Sequence, residues 1–120
     1  MSGIVFFKTR NRDEVIQWYQ ENIDADVWLE QTGCTILNSD EFRFGFCDGE
    51  ETETDGILTF VYDDEETVDE MHERLGDAVR ENPHENEQYQ IYQFFAEDPD
   101  GRTVEVQTFL HDTPAVGNYA

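Results

Sequence analysis

A strand, a tight turn and a second strand follow one another in the stretch Phe95-Ala96-Glu97-Asp98-Pro99-Asp100-Gly101-Arg102-Thr103-Val104-Glu105-Val106. Within it, Pro99 has a fixed φ that suits a β-turn, and Gly101 tolerates the positive φ that such a turn needs. The flanking residues are aromatic, β-branched or alternating in polarity, as in strands. The stretch therefore predicts an antiparallel hairpin that turns over residues 98–101, with residue 94 opposite 105 and residue 92 opposite 107.

Outward from this hairpin, the same order of elements occurs twice along the 120 residues. The first half predicts a strand at 3–8, a helix that begins at Asn11, and strands at 26–30, 34–38 and 42–47. The second half predicts a strand at 57–62, a helix capped by Asp63 or Asp64, a loop at 82–87, and strands at 89–96 and 103–109. The repeat predicts one α+β domain, with module one at about 2–47, an acidic linker at 48–56, module two at about 57–111 and a loose tail at 114–120.

The spacing of apolar residues predicts which side chains are buried. The run Ile4-Val5-Phe6-Phe7 predicts a strand buried on both faces, and Asn11 with Glu14 predicts a capping box at the first helix. The predicted buried stripes of the two helices are Val15, Trp18, Tyr19 and Ile23, and Val68, Met71, Leu75 and Val79.

Period-two alternation assigns the strand residues to faces. In the closing hairpin, the predicted register places Tyr92, Phe94, Thr103, Glu105 and Gln107 on one face, and Phe95, Val104 and Val106 on the face that the helix covers. In the hairpin of residues 34–47, one face carries Cys34, Ile36, Arg43, Gly45 and Cys47, and the other carries Leu37, Phe42, Phe44 and Phe46. The aromatic face is the predicted helix-packed core, although the sequence leaves the reverse arrangement open.

The two cysteines, Cys34 and Cys47, have no metal-ligand spacing, and we expect free buried thiols. The predicted hairpin nevertheless places them opposite each other, where antiparallel residues approach closely. An oxidised pair is therefore the alternative, and the sequence leaves their redox state open.

Acidic residues dominate the charged composition. The chain has 29 Asp and Glu residues and seven Lys and Arg residues, which gives a net charge of −22. Phosphate binding needs clustered Lys and Arg, so nucleic acid and anionic membrane surfaces are excluded as partners. No apolar run approaches the roughly 20 residues that cross a bilayer, and the N-terminus lacks signal-peptide features, so we expect a cytoplasmic protein. Carboxylates scattered over the whole chain, with Lys8 as the one lysine, indicate a halophilic protein from a high-salt cell.

The residues of the closing hairpin, 95–106, resemble the last hairpin of the vicinal oxygen chelate superfamily, which includes glyoxalase I, bleomycin-resistance proteins and extradiol dioxygenases. Trp18-Tyr19 stands where that superfamily usually has Phe-Tyr on its first helix. Phe60-Val61-Tyr62-Asp63-Asp64 is similar to the strand-to-helix entry of its second module. The resemblance covers nearly the whole chain and implies two βαβββ modules whose curved mixed sheets surround a shared cavity.

The metal enzymes of this superfamily use a His at the head of each module's first strand and a Glu late in each sheet. The resemblance places Ile4 and Ile57 at the two His positions, and neither side chain binds a metal; only Glu105 matches. None of the three histidines has partners at ligand spacing. We therefore expect no cofactor, and the alternative is a divalent metal (Zn, Ni, Fe or Mn) with Glu105 as one ligand. Glu105 is also the best catalytic candidate, unless it is a structural carboxylate.

The resemblance implies an aromatic and aliphatic cavity with a few polar groups, which suits a small organic ligand. The predicted lining residues are Ile4, Phe6, Arg43, Ile57, Thr59, Tyr92, Phe94, Glu105 and Gln107. The first hypothesis is a glyoxalase/bleomycin-resistance-like protein that binds a small organic molecule without the usual metal.

Two other hypotheses stay open. The second is a metal-dependent isomerase, lyase or dioxygenase of the same superfamily that uses Glu105. The third is a non-catalytic dimeric interaction module. Long sheet edges favour association, so we expect a homodimer, with the cavity either within one chain or across the dimer.

The excess of carboxylates predicts a strong dependence of stability on salt. At low ionic strength the screening length reaches roughly 30 Å, so repulsion sums over the whole surface, whereas molar salt removes it. The midpoint of thermal unfolding, followed by circular dichroism, should climb steeply from millimolar KCl to about 2 M KCl. A midpoint that stays flat over this series would contradict the halophilic interpretation.

Overall fold

The computed structural model describes residues 3–114, in which two four-stranded sheets each accompany one helix. The first half contains β1 (Val5–Thr9), α1 (Arg12–Asn22), β2 (Asp26–Gln31), β3 (Cys34–Ser39) and β4 (Phe42–Asp48). The second half contains β5 (Ile57–Val61), α2 (Glu65–Leu75), a 3₁₀ turn (Gly76–Ala78), β6 (His84–Asn86), β7 (Ile91–Glu97) and β8 (Thr103–Phe109). Apart from Pro114, the predicted tail lies outside the described residues. No helix among residues 3–114 is long and apolar enough to span a bilayer.

The strand order is the same in both sheets, β1-β4-β3-β2 and β5-β8-β7-β6. In the first sheet, β1 runs parallel to β4, and β3 runs antiparallel to both of its neighbours, β4 and β2. The predicted α+β class with two βαβββ modules is therefore confirmed.

Two compact units divide the described chain, and their bounds differ from a simple cut between the modules. The first unit comprises residues 3–56 together with 97–103, and the second comprises residues 57–96 together with 104–114. The tip of the closing hairpin thus belongs to the first unit.

The core of the first unit is aromatic, and its faces follow the predicted alternation. Cys34 pairs with Cys47 and Ile36 with Gly45, which leaves the aromatic side chains of β4 on the other face. There Phe44 and Phe46 are fully buried against Tyr19 of α1, with ring centroids 5.2 and 5.4 Å from the tyrosine ring. The aromatic face is therefore the helix-packed core.

A charged cluster lies inside this aromatic core. Arg102 is fully buried, and its Nη1 atom donates to Oδ2 of Asp98 at 2.6 Å. The same carboxylate oxygen accepts from the Tyr19 hydroxyl at 2.7 Å. The guanidinium carbon stands over the rings of Phe7 and Phe46, 4.8 and 5.0 Å from their centroids. Burial and the neighbouring Asp98 raise the pKa of Tyr19 well above its ordinary value, which keeps its hydroxyl protonated as a donor.

Several predicted details of the first half are wrong. Val5 and Phe6 are exposed rather than buried, because β1 is an edge strand with a single neighbour. Asn11 precedes α1, but its side chain makes no capping hydrogen bond. Its amide instead donates to Asp100 at 3.3 Å, since the hairpin tip offers it a carboxylate.

The two cysteines form a disulfide between β3 and β4, not the expected pair of free thiols. The predicted register is correct, as Cys34 lies directly opposite Cys47 with 4.0 Å between the Cα atoms. The oxidised pair, which the hairpin geometry predicted as the alternative, is therefore correct.

In the second half, the predicted helix and most strands are confirmed, and Asp64 is the residue that caps α2. Its carboxylate accepts from the Thr67 backbone N–H at 2.8 Å, and hydrogen bonds from Thr67 lower its pKa. Val79 lies beyond the end of α2, where it bridges to Ala96. The predicted loop at 82–87 contains the short strand β6, which pairs with β7 despite a polar sequence that lacks strand periodicity.

Loss of the Arg102 charge is expected to destabilise the fold severely. Arg102→Met leaves Asp98 buried without its cation and should lower the free energy of unfolding by about 3–5 kcal/mol. The measurement is chemical denaturation in molar KCl. Arg10→Met, at an exposed position, changes the net charge equally and serves as the control. Equal, small losses for both variants would contradict a structural role for the buried pair.

Candidate functional site

The turn of the closing hairpin contains one more residue than the predicted register assumed. Asp98 O accepts from Gly101 N at 2.9 Å, and Asp98 N donates to Arg102 O at 3.0 Å. These two bonds enclose a three-residue loop, 99–101, in which Gly101 adopts a φ of 83°. A type I turn followed by a left-handed residue is a common hairpin connection of this length. The extra residue shifts the pairing by one, which moves side chains to the opposite face.

Because of this shift, Tyr92 and Phe94 do not share a face with Glu105, and that prediction is wrong. Phe94 is fully buried, with its ring 5.2 Å from the ring of His72 on α2. The Tyr92 hydroxyl donates to Asp69, also on α2, at 2.7 Å. The residues that share the face of Glu105 are instead Gln93 and Phe95.

A row of hydrogen-bonded polar side chains, one from each strand of the second sheet, converges on Glu105. The carboxylate accepts hydrogen bonds from the Thr59 hydroxyl on β5, at 2.8 Å, and from the Gln93 amide on β7. The Gln93 carbonyl oxygen accepts from the Asn86 amide on β6 at 2.8 Å. Gln93 is only 4% exposed, so the centre of the row is withdrawn from solvent.

The direction of these hydrogen bonds is fixed by the backbone. The N–H groups of Gln88 and Tyr89 donate to the Asn86 oxygen, at 3.1 and 3.4 Å, and an N–H group cannot accept. The Asn86 amide nitrogen must therefore face Gln93, which in turn directs its own amide nitrogen to Glu105. In each hydrogen bond of the row, the acceptor therefore lies on the side of the carboxylate.

A groove of about 390 Å³ lies over this polar row, and apolar side chains form most of its walls. Tyr89 and Phe109 are 60% and 41% exposed, an unusual fraction for large aromatic side chains. The lining residues, all from the second unit, are Asn86, Tyr89, Ile91, Gln93, Phe95, Glu105, Gln107 and Phe109. The arrangement suits a flat organic molecule that contacts aromatic rings and donates a hydrogen bond to Glu105.

Besides Tyr92 and Phe94, which face α2, the predicted lining residues include four in or near the groove and three in the first unit. Glu105 and Gln107 line the groove, and Thr59 holds Glu105. Ile57 is exposed two residues before Thr59 on β5, and therefore lies on the same strand face.

The other predicted residues, Ile4, Phe6 and Arg43, belong to the first unit. The Phe6 ring lies against Gly45, where an added Cβ would stand 2.7 Å from it, so any side chain at position 45 would require the ring to shift. The guanidinium of Arg43 stacks on the ring of Trp28 at 4.8 Å. Ile4 precedes β1 and is partly exposed. Ligand binding by these residues stays a prediction.

The sequence interpretation missed most of the groove, namely Asn86, Tyr89, Ile91, Gln93, Phe95 and Phe109. The available signal was the position of glycine in the Asp-Pro-Asp-Gly turn. A Gly that follows a type I turn indicates a three-residue loop, and that loop places residues 93 and 95 on the face of residue 105.

The groups around Glu105 do not fit the divalent metal that the sequence resemblance left as an alternative. A metal centre needs several His, Cys or carboxylate ligands, and no three such side chains come together among residues 3–114. The groups next to Glu105 are a hydroxyl and an amide that donate to it. They satisfy the carboxylate as a hydrogen-bond acceptor and supply no further anionic or imidazole ligand.

Solved structures share this fold at low sequence identity. An integron cassette protein from the Halifax Harbour sewage outfall metagenome has a TM-score of 0.78 at 16% identity, over 91% of this chain and 98% of its own. A glyoxalase/bleomycin resistance protein/dioxygenase family enzyme from Burkholderia phytofirmans PsJN has a TM-score of 0.78 at 19% identity, over 89% and 97%. A lactoylglutathione lyase from Agrobacterium tumefaciens has a TM-score of 0.74 at 18% identity, over 90% and 92%.

No protein-family model and no curated protein sequence matches the chain. The likeness therefore rests on three-dimensional structure, and it shows the fold of the glyoxalase/bleomycin resistance/dioxygenase proteins. The resemblance to the vicinal oxygen chelate superfamily is confirmed at the level of the fold.

The orientation of Tyr92 can be checked by titration. The hydrogen bond to Asp69 raises the pKa of Tyr92 to about 12. Asp69→Asn removes the nearby negative charge and should lower this pKa by about one unit or more. The measurement is phenolate absorbance against pH, with Tyr92→Phe to identify the Tyr92 signal and Glu73→Gln as a charge-matched control on α2. An unchanged Tyr92 pKa in Asp69→Asn would indicate that Tyr92 does not face the helix.

Proposed function

We propose that this protein binds a small organic molecule in the groove over Glu105, and that a metal ion takes no part in the binding. The observation that carries the proposal is the combination of aromatic walls with a polar row whose orientation is fixed. Aromatic walls supply the apolar contact, and a few ordered polar groups supply orientation, which is the usual composition of small-molecule sites. The fold is in keeping with this role, since proteins of this fold include enzymes and resistance proteins for small molecules.

The metal-dependent isomerase, lyase or dioxygenase is the rival proposal for the same site. It would require Glu105 to exchange its hydrogen bonds with Thr59 and Gln93 for a metal bond, and it would require ligands beyond Glu105. The residues around Glu105 supply none, which is why we rank this proposal second.

A specific observation favours the interaction module as a further candidate function. Three consecutive apolar residues on the edge strand β2, Val27, Trp28 and Leu29, are 41%, 50% and 42% exposed. Exposed apolar side chains on an edge strand favour association with another chain. We therefore propose a homodimer, in a high-salt cytoplasm, as the working form of the protein.

A fragment screen by NMR in molar KCl tests binding at the groove. The library should contain cationic, neutral and anionic aromatic fragments, and the side-chain amides of Asn86, Gln93 and Gln107 report binding directly. At least one fragment should shift these amides, and Phe109→Ala should weaken its affinity by about tenfold through loss of an aromatic wall.

Leu110→Ala removes a neighbouring exposed apolar side chain that does not line the groove, and it should leave the affinity unchanged. Fragments that never shift the groove amides would overturn the proposal. Stoichiometric zinc, nickel, iron or manganese in purified protein, lost in Glu105→Gln, would favour the metal enzyme. Light scattering of the same sample distinguishes a dimer from a 14.0 kDa monomer.

A further inference from the structure

We propose that the groove selects small organic cations, namely ammonium compounds that carry an aromatic or other flat apolar group. This inference rests on the proposed function and goes further by naming the chemical class of the ligand. It follows from the charge of the groove, from the direction of its hydrogen bonds and from its aromatic walls.

The charge of the groove comes from one residue. Among the described residues that line the groove, Glu105 is the only one with a formal charge, and none is a Lys, Arg or His. Its two hydrogen-bond donors, Thr59 and Gln93, are neutral, so they orient the carboxylate without cancelling its charge. An anionic ligand would meet this charge with no cation to offset it, whereas a cation would complete an ion pair in a partly desolvated site.

The direction of the hydrogen bonds in the polar row also favours a cationic ligand. The backbone N–H groups of Gln88 and Tyr89 fix the Asn86 amide, and this amide fixes Gln93. Neither amide can rotate without breaking a hydrogen bond within the row. A carboxylate has about four acceptor positions, and the two neighbouring side chains use two of them. The free capacity of Glu105 is therefore acceptor capacity, which matches the N–H donors of an ammonium group.

The aromatic walls provide the third contribution. Tyr89, Phe95 and Phe109 line the same groove as Glu105, and Tyr89 and Phe109 are largely exposed. Aromatic ring faces attract organic cations and also stack on flat apolar groups. A carboxylate that shares a groove with aromatic rings therefore suits both the charge and the apolar part of an aromatic amine.

Nonspecific attraction must be separated from recognition, because a chain with a net charge of −22 attracts every cation. Glu85 offers a matched control: it lies on β6 beside Asn86, is exposed, and pairs with Tyr92, whose side chain faces α2. Glu85→Gln and Glu105→Gln change the net charge identically, but only the second changes the groove.

The experiment compares three probes of similar size, benzylammonium, benzyl alcohol and benzoate, at one fixed KCl concentration. Dissociation constants come from NMR shifts of the Gln93 side-chain amide in the unmodified protein and in the two variants. We expect benzylammonium to bind at least about tenfold more tightly than benzyl alcohol, and benzoate not to saturate. Glu105→Gln should weaken benzylammonium by about tenfold and leave benzyl alcohol nearly unchanged, while Glu85→Gln stays within about twofold of the unmodified protein.

The outcomes distinguish this inference from the proposed function. Benzyl alcohol or benzoate that binds as tightly as benzylammonium and shifts the same amides would overturn cation selection but leave the groove as a binding site. Equal losses in the two variants would show general attraction to an acidic surface and would also overturn it. If no probe shifts the groove amides, cation selection is overturned, whereas the proposed binding site is decided by the broader fragment screen. The probe comparison on the unmodified protein decides the matter even where Glu105→Gln does not fold.

Discussion

The Arg102 guanidinium is fully removed from solvent, where it contacts the Asp98 carboxylate and two aromatic rings. A buried charge is tolerated only when it is paired and its hydrogen bonds are made. The backbone carbonyl oxygen of Glu53 accepts from the Nε and Nη2 atoms of Arg102, and the Tyr19 hydroxyl donates to Asp98. This requirement ties the hairpin tip, residues 97–103, to the aromatic core of the first unit. The Asp98 carboxylate also accepts hydrogen bonds from the backbone N–H groups of Asp100 and Arg102. The carboxylate that neutralises the arginine therefore also shapes the turn.

The shape of that turn determines the chemistry of the groove. A three-residue loop between Asp98 and Arg102 places Gln93 and Phe95 beside Glu105, whereas a two-residue loop would place Tyr92 and Phe94 there. The two loops differ by a single residue, yet this difference places an amide instead of a phenol beside the Glu105 carboxylate. The composition of the groove therefore depends on the turn that Asp98 forms while it is paired with Arg102.

A carboxylate at the position of Glu105 serves different chemistry according to its neighbours. With imidazole and further carboxylate ligands around it, such a group holds a divalent metal. Here Thr59 and Gln93 surround it with neutral donors, which leave its charge available to a ligand. The scaffold positions the carboxylate, and the adjacent side chains decide which chemistry the position can serve.

The sequence by itself determined the order of elements, the two-module α+β fold, the aromatic core face of the first sheet and the opposition of Cys34 and Cys47. These features follow from local periodicity and turn residues, which act over a few positions. Tertiary structure alone decided the disulfide, the strand β6 and the face on which Tyr92 and Phe94 lie. Strand pairing brings the cysteines together and supplies the partner for the polar residues 84–86, and a one-residue change in the turn reverses every side chain of a strand. Alternation predicts that two faces exist, but only the hydrogen bonds of the folded turn determine which residues share the face of Glu105.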